Sequence, residues 1–406
     1  MKNGMLLLIN LKANLKRNKI KNKRGECFLS PFSVKSMKFN NGKFKILILS
    51  DLHERHENLK WTLHHMERAV EISKPDLVVL LGDNIAGEYK GVNKEKVKTA
   101  VLNITDFFNK QKLFFAPVFG NHDHEGLCSC ENFTEDEAKS FIMKLFCRSP
   151  YCLGEIGNVS GVGNYNIVLK DSQNKTDIFS LFFLDSGTYA DGGYGYVKKD
   201  TLNWYEKTVL SQKEEKGKIL PSFVFQHIIV PEIYNCLTPF SKKVKGSVKG
   251  HGSWGNLYFK SNEHFIKSGC VCEGPCPPEK GSGQFDLTEA LGSTLAIFSG
   301  HDHVNDFDAQ YKKVRLIATP SAGYFSYGNK QGFRTVTLFE NDLENFETKV
   351  FHADEVCTLR PKNVFIKNFG YQQYERDFKP YLTAAAVTVG IASAVGLINR
   401  YIKFKK

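Results

Sequence analysis

The chain is expected to fold as an α/β domain whose parallel strands are covered by helices, and three features predict it. Apolar runs rich in β-branched and aromatic residues recur at 46–49, 77–81, 114–119, 223–225 and 295–298. Runs of this kind read as strands buried on both faces. Stretches of helical period separate the first three, which gives a β-α-β-α-β order and hence parallel neighbours. Each run also ends in a polar cluster: Asp51-Leu52-His53, Gly82-Asp83-Asn84, Gly120-Asn121-His122-Asp123, Gln226-His227 and Gly300-His301-Asp302-His303. Ligand sites of α/β sheets gather beyond the carboxyl ends of such strands.

Taken in order, a basic segment over 1–43 precedes a strand at 44–50, which passes through Asp51 into a helix over 59–73. Strand 77–81 ends at Asp83. A helix over 94–111 follows, with Val97, Val101, Ile104, Phe107 and Phe108 at helical spacing. The strand at 114–119 delivers Asn121, 135–146 reads as a further helix, and 165–169 with 178–184 as a hairpin. Residues 187–196 are a Gly/Tyr loop suited to wall a binding site. Between the fourth and fifth strands, 234–286 looks irregular, and a long loop at such a place shapes access or specificity. Late strands are expected at 314–319 and 332–339. The main folded unit is drawn as 44–345, with 346–380 as a connector.

The strand-end clusters bring imidazoles and carboxylates together, a donor set that suits zinc, iron or manganese without thiolate. Asp51 and His53 are two apart, as are His301 and His303, so each pair shares a strand face or bends onto one ion. Asp83 stands alone, as a bridging carboxylate would; Asn121 adds a carbonyl oxygen and His227 one imidazole. These seven over-supply one ion and serve two. Two cations about 3.5–4 Å apart clamp both oxygens of an in-line displacement. A lone Asp-x-His after a strand is commonplace; five such clusters in order are not. The remaining seven histidines (His56, His64, His65, His124, His251, His264 and His352) lack this context and read as solvated or structural.

At this point the chain resembles the calcineurin-like metallophosphoesterases, whose signature D-x-H, G-D, G-N-H-D/E, H and G-H-x-H is filled between residues 44 and 339. Within them it looks most like the small purple-acid-phosphatase-like branch, through Phe183-Leu184-Asp185-Ser186-Gly187, Trp204-Tyr205-Glu206-Lys207-Thr208 and the Gly300–Phe307 segment. The resemblance implies a four-layer αββα sandwich of two mixed sheets. It implies a first ion on Asp51, His53 and His303, and a second on Asn121, His227 and His301, with Asp83 bridging. The ions would be divalent or mixed-valence Fe, Mn or Zn. A metal-bound hydroxide would attack a phosphomonoester, His122 would protonate the leaving alcohol, and Asp123 would orient His122. Two departures narrow the assignment. Ala86 stands where purple acid phosphatases carry a tyrosine, and His53 is a histidine their first motif lacks, so no tyrosinate-to-iron colour is expected. No arginine follows Asp83, unlike the Ser/Thr phosphatases of this group. The alternatives are phosphodiesterase activity at the same site, or a membrane-displayed binding protein with this fold and no turnover.

The net charge of +12 is concentrated at the termini. Residues 1–43 carry eleven Lys or Arg against one acid and 400–406 carry four, which leaves 44–399 at −2. A near-neutral folded part makes nucleic acid an unlikely partner, since such proteins carry basic residues on the folded face. The N-terminal 43 residues read as a disordered basic arm, and the apolar run at 5–9 is shorter than the about 7–15 residues of a signal-peptide core. Residues 381–399 carry no charge, near the about 17–25 residues a membrane helix needs, with Ala386, Gly390 and Ala394 in a small-residue stripe. The basic tail 400–406 would then face the cytosol and the catalytic part the lumen or outside; a tail anchor with a cytosolic catalytic part is the rival. Ten cysteines and sequons at Asn103, Asn132, Asn158 and Asn174 agree with a secretory compartment.

Overall fold

The structure is a computed structural model that describes residues 35–57, 59–363 and Ile366, with the backbone of two short strands before them. Those strands, β1 (Lys19–Lys21) and β2 (Cys27–Leu29), pair as a separate ribbon. The predicted membrane span 381–399, the tail 400–406 and most of the basic arm lie outside the described residues. Among the described residues no helix is long and apolar enough to cross a membrane.

Two mixed sheets carry the fold. The smaller is built around β4 (Lys43–Leu49), β5 (Leu77–Leu81) and β6 (Phe115–Val118), which run parallel, as the alternation with helices α1 (Lys60–Ser73) and α2 (Lys94–Gln111) predicts. The Asn93 side chain caps α2 by accepting from the Lys96 amide, and Lys112 ends it in the left-handed conformation. Two late strands, β19 (Gly332–Phe339) and β20 (Asp342–His352), complete this sheet in the order β20-β19-β4-β5-β6.

The larger sheet has eight strands. Its centre is the parallel set β8 (Asp177–Phe183), β11 (Ser222–Phe225), β16 (Thr294–Ser299) and β18 (Val314–Ala318). At one side β7 (Tyr165–Lys170) pairs antiparallel with β8, the predicted hairpin, and β3 (Lys35–Lys38) adds to β7. The other side carries β17 (Asp308–Tyr311) and β15 (Ile266–Ser268). Alternate residues along these strands face opposite ways. Leu181, Phe183, Phe223, Phe225 and Phe298 join the core shared with the smaller sheet, whereas Phe182, Val224, Ile297 and Leu316 pack beneath α4 (Lys199–Lys216). The result is a mixed α/β fold with two sheets face to face and helices outside.

Phe223 sits where the sheets meet. Its ring is fully buried, 4.8 Å from Phe179, 5.1 Å from Phe298 and 4.6 Å from Phe346 on β20. Phe223→Ala is expected to cost about 3–5 kcal/mol of stability, because the rigid sheets cannot close over the hole. A urea titration showing an unchanged midpoint would reject this.

Three regions differ from the sequence expectation. Residues 35–43 belong to the sheets rather than to a disordered arm. The stretch 234–286 contains a three-stranded sheet of β12 (Leu237–Phe240), β13 (Val248–Lys249) and β14 (Tyr258–Ser261), besides β15. The proposed connector begins inside β20, so the folded unit continues past residue 345. In each case the strand lies at an edge or in an excursion, where most side chains face water and periodicity is weak.

Candidate metal centre

The strand ends converge because their backbones run alongside one another. After β4 the amides of Asp51, His53 and Glu54 donate to the carbonyls of Gly82, Asp83 and Asn84, and the Gly300 amide donates to the His227 carbonyl. The bends are tight. Asp51, His53, Asp83 and His301 all adopt left-handed backbone, with φ of 52°, 45°, 47° and 70°. Each such residue costs about 1–3 kcal/mol, and this kind of strain clusters at functional sites. Two motif glycines are needed for close approach. A Cβ at Gly82 would lie 2.4 Å from the His227 ring, and one at Gly300 would lie 1.9 Å from the Ser50 hydroxyl.

Six of the seven predicted ligands come together at this place. Asp51 Oδ1 lies 3.3 Å from His303 Nε2, 3.8 Å from His227 Nε2 and 3.9 Å from His53 Nε2. Asp83 Oδ2 lies 3.2 Å from His227 Nε2 and 3.7 Å from His53 Nε2. Two clusters of candidate donors result: Asp51, His53 and His303, and Asp83, His227 and His301. Each carboxylate also approaches the other cluster, Asp83 at His53 and Asp51 at His227.

The hydrogen bonds leave one face of each ligand bare. Asp51 Oδ2 accepts from the Ser50 hydroxyl and the His301 amide, while Asp83 Oδ1 accepts from the His122 amide. His227 Nδ1 donates to the Leu81 carbonyl at 2.9 Å, and His303 Nδ1 lies 3.1 Å from the Tyr327 carbonyl. Such partners fix the tautomer and aim Nε2 inwards. Asn121 Nδ2 donates to the Tyr189 hydroxyl at 3.2 Å, and its Oδ1 is buried. The atoms left over, Asp51 Oδ1, Asp83 Oδ2, Asn121 Oδ1 and Nε2 of His53, His227 and His301, are buried and make no hydrogen bond. These atoms crowd within a few ångströms of one another; burial would lower the His227 pKa, but the Asp83 and Asp51 carboxylates lift it to about 10, and cations among the ligands would take the place of that proton. Burial also pushes the His53 and His301 imidazoles down to about 3, into the neutral form that ligates.

His122 lies at the rim, its ring 5.5 Å from that of His53. Its Nδ1 lies 2.8 Å from Glu125 Oε2, which leaves Nε2 for a substrate. Burial would lower its pKa, but the Asp83 carboxylate and the Glu125 hydrogen bond outweigh this and lift it to about 9. Asp123 does not fill the role expected of it. Its carboxylate accepts from the amides of Asn84, Ile85 and Gly120 at 2.8–3.1 Å, so it ties the β5 and β6 ends together instead of orienting His122. Glu125 takes that place. It begins helix α3 (Glu125–Glu131), which puts it three residues from His122 on the same side of a turn. A His-x-x-Glu spacing ahead of a helix is the signal that would have revealed it.

A family model described as calcineurin-like phosphoesterase matches residues 44–305. The chain belongs to this family. It is similar to probable inactive purple acid phosphatase 14 of Arabidopsis thaliana, with 28% identity over 371 residues covering 78% of this chain and 80% of that one. Probable inactive purple acid phosphatase 29 of the same plant is 28% identical over 344 residues, covering 75% and 78%. A dimetal phosphatase from Danio rerio superposes with a TM-score of 0.42 at 11% identity, across 73% of this chain and 93% of that one.

In this calcineurin-like phosphoesterase the two clusters are candidate metal sites, and a cavity of about 420 Å³ opens above them. His53, Asp83, His122, His301 and His303 form its floor and near wall. Its rim holds Glu88, Glu125, Cys276, Ser326, Tyr194 and Tyr327, and no lysine or arginine. The Gly/Tyr loop is a hairpin of β9 (Tyr189–Ala190) and β10 (Gly193–Tyr194) that stands beside this cavity, as its composition suggested.

Proposed function

We propose that the chain is a dinuclear-metal phosphoesterase that hydrolyses phosphomonoesters. The observation that carries this is the convergence of unpartnered donor atoms from five distant strand ends beside an imidazole held by a carboxylate. Asp51, His53 and His303 would hold one ion, and Asn121, His227 and His301 the other, with Asp83 shared. When bound, the ions supply the Lewis acidity and positive charge that draw a phosphate and activate water. His122, positioned by Glu125, gives its proton to the departing alcohol oxygen. Ser50 and the His301 amide hold Asp51, and Tyr189 holds Asn121.

Elemental analysis of the purified protein, followed by assay of mono- and diesters, tests this. About two equivalents of Fe, Mn or Zn with turnover of monoesters supports it. Faster turnover of diesters would favour the phosphodiesterase alternative. Bound metal without any turnover would favour a binding protein, the state suggested by the word inactive in the names of the Arabidopsis relatives.

Membrane attachment and lumenal placement are proposed on separate grounds. The uncharged segment 381–399, a Cys270–Cys272 disulfide and exposed sequons at Asn132, Asn158 and Asn174 support them.

A further inference from the structure

We propose that this site selects phosphate esters whose leaving group carries a flat aromatic ring. The proposal rests on the phosphoesterase reading for the place where phosphate binds, and it adds the class of alcohol. Two exposed tyrosine rings flank the metal cluster from opposite sides. Tyr327 stacks on His303, its centroid 4.1 Å away at 17°, and stays 44% exposed. On the other side Tyr194 meets His301 edge-on at 4.3 Å, and Tyr189 stacks on Tyr194 at 5.8 Å while remaining 54% exposed. Large aromatic rings left this open beside a cavity mark a surface that receives something apolar and flat.

The tyrosines are held rather than waving. Tyr189 and Tyr194 face each other across a two-residue hairpin whose turn, Asp191-Gly192, has φ of 52° and 80°, the tight turn that matches strand twist. At its base the Thr188 hydroxyl donates to Glu135 at 2.7 Å, and Glu135 is paired with the buried Lys139, itself bound to Asp185. The Tyr327 hydroxyl donates to Glu273. Rings ordered in advance lose little entropy on stacking. A second cavity, lined by the hairpin and His251, meets the metal cavity at Tyr194 and leaves room for a group extending from the phosphate.

Charge argues the same way. The metal cavity has Glu88 and Glu125 at its rim and no lysine or arginine in its lining. Beyond the ions and His122, a leaving group bearing further phosphates or carboxylates would meet acid there, with no lysine or arginine in the lining to pair it. An uncharged aromatic group meets rings instead.

The test uses the metal-loaded full chain and two matched ligand pairs. Benzyl and cyclohexylmethyl phosphate release alcohols of similar acidity, so a difference in kcat/KM reports recognition of the ring. Benzylphosphonate and cyclohexylmethylphosphonate give the same comparison as Kd, without chemistry. One aromatic pair contributes about 0.5–1.5 kcal/mol, so about a fivefold preference for the benzyl member is expected in wild type. Tyr189→Phe should keep it, since only the bond to Asn121 is lost, whereas Tyr189→Ala combined with Tyr327→Ala should abolish it. Equal affinity for the two phosphonates in wild type overturns the proposal, as does a preference that survives the double alanine variant. Phosphonate preference without turnover of either ester sinks the hydrolase reading and leaves the aromatic one standing. Turnover without preference does the reverse.

Discussion

Replacing Asp83 by Asn is expected to abolish hydrolysis and to lower bound metal together. Asn has the same shape, so its amide oxygen can still accept from the His122 amide, as Asp83 Oδ1 does at 2.7 Å. What changes is the other atom. Oδ2, buried and facing His53 and His227, becomes an N–H donor with no charge. Removing one partner from a buried set of opposite charges costs about 3–5 kcal/mol, equivalent to about 10²–10⁴ in metal affinity. With Asp83 as the proposed shared ligand, two ions would lose a donor at once, so occupancy and turnover should fall in step. Metal content by mass spectrometry alongside a phosphatase assay reads both. Turnover within tenfold of wild type at unchanged metal content would reject the bridging position.

His122→Ala is expected to separate the two quantities. The ring makes no contact needed to hold the cluster, so metal content should remain. Loss of a general acid typically costs about 10²–10⁴-fold, and the loss should shrink as the leaving alcohol becomes more acidic, because a good leaving group departs without a proton. A uniform loss across a leaving-group series would remove His122 from this role.

Glu125→Gln gives a graded version with a definite sign. Without ions, burial would lower the His122 pKa, but the Asp83 and Glu125 carboxylates lift it to about 9, and bound cations bring it down from there. The acid form is needed, so rate falls as pH rises through the pKa of His122. Removing the Glu125 charge lowers the pKa, and the alkaline limb of the pH–rate profile should move to lower pH. With ions bound, much of the Asp83 charge is spent on them, and the dependence on Glu125 becomes stronger. A limb at the same pH in both proteins would show that Glu125 does not tune His122.

The expected fold was legible where burial imposes a pattern. The helix α2 runs over 94–111 as its apolar spacing predicts, and the core strands fall within a residue or two of those expected from the apolar runs. Where a strand is half-solvated the pattern fades. Of the eleven residues of β20, Phe346 alone is buried, so nothing in that stretch announced a strand. The same holds for the lysine-rich excursion, whose strands are two to four residues long.

Ligand chemistry was legible for a different reason: donor type and strand-end position are both local properties of the chain. Asp51, His53, Asp83, Asn121, His227, His301 and His303 could be named as candidates before any distance was known, and all but Asn121 fall in the two donor clusters. Direction was not local. Asp123 and Glu125 both stand near His122, but a residue one step along points away from it, while one helical turn brings the other back. Likewise the tyrosines at 194 and 327 reach His301 and His303 only because separate excursions of the chain fold back onto the strand ends. Which atoms meet across more than two hundred residues depends on strand order and on the few left-handed bends that aim them, and neither is written in residue type alone.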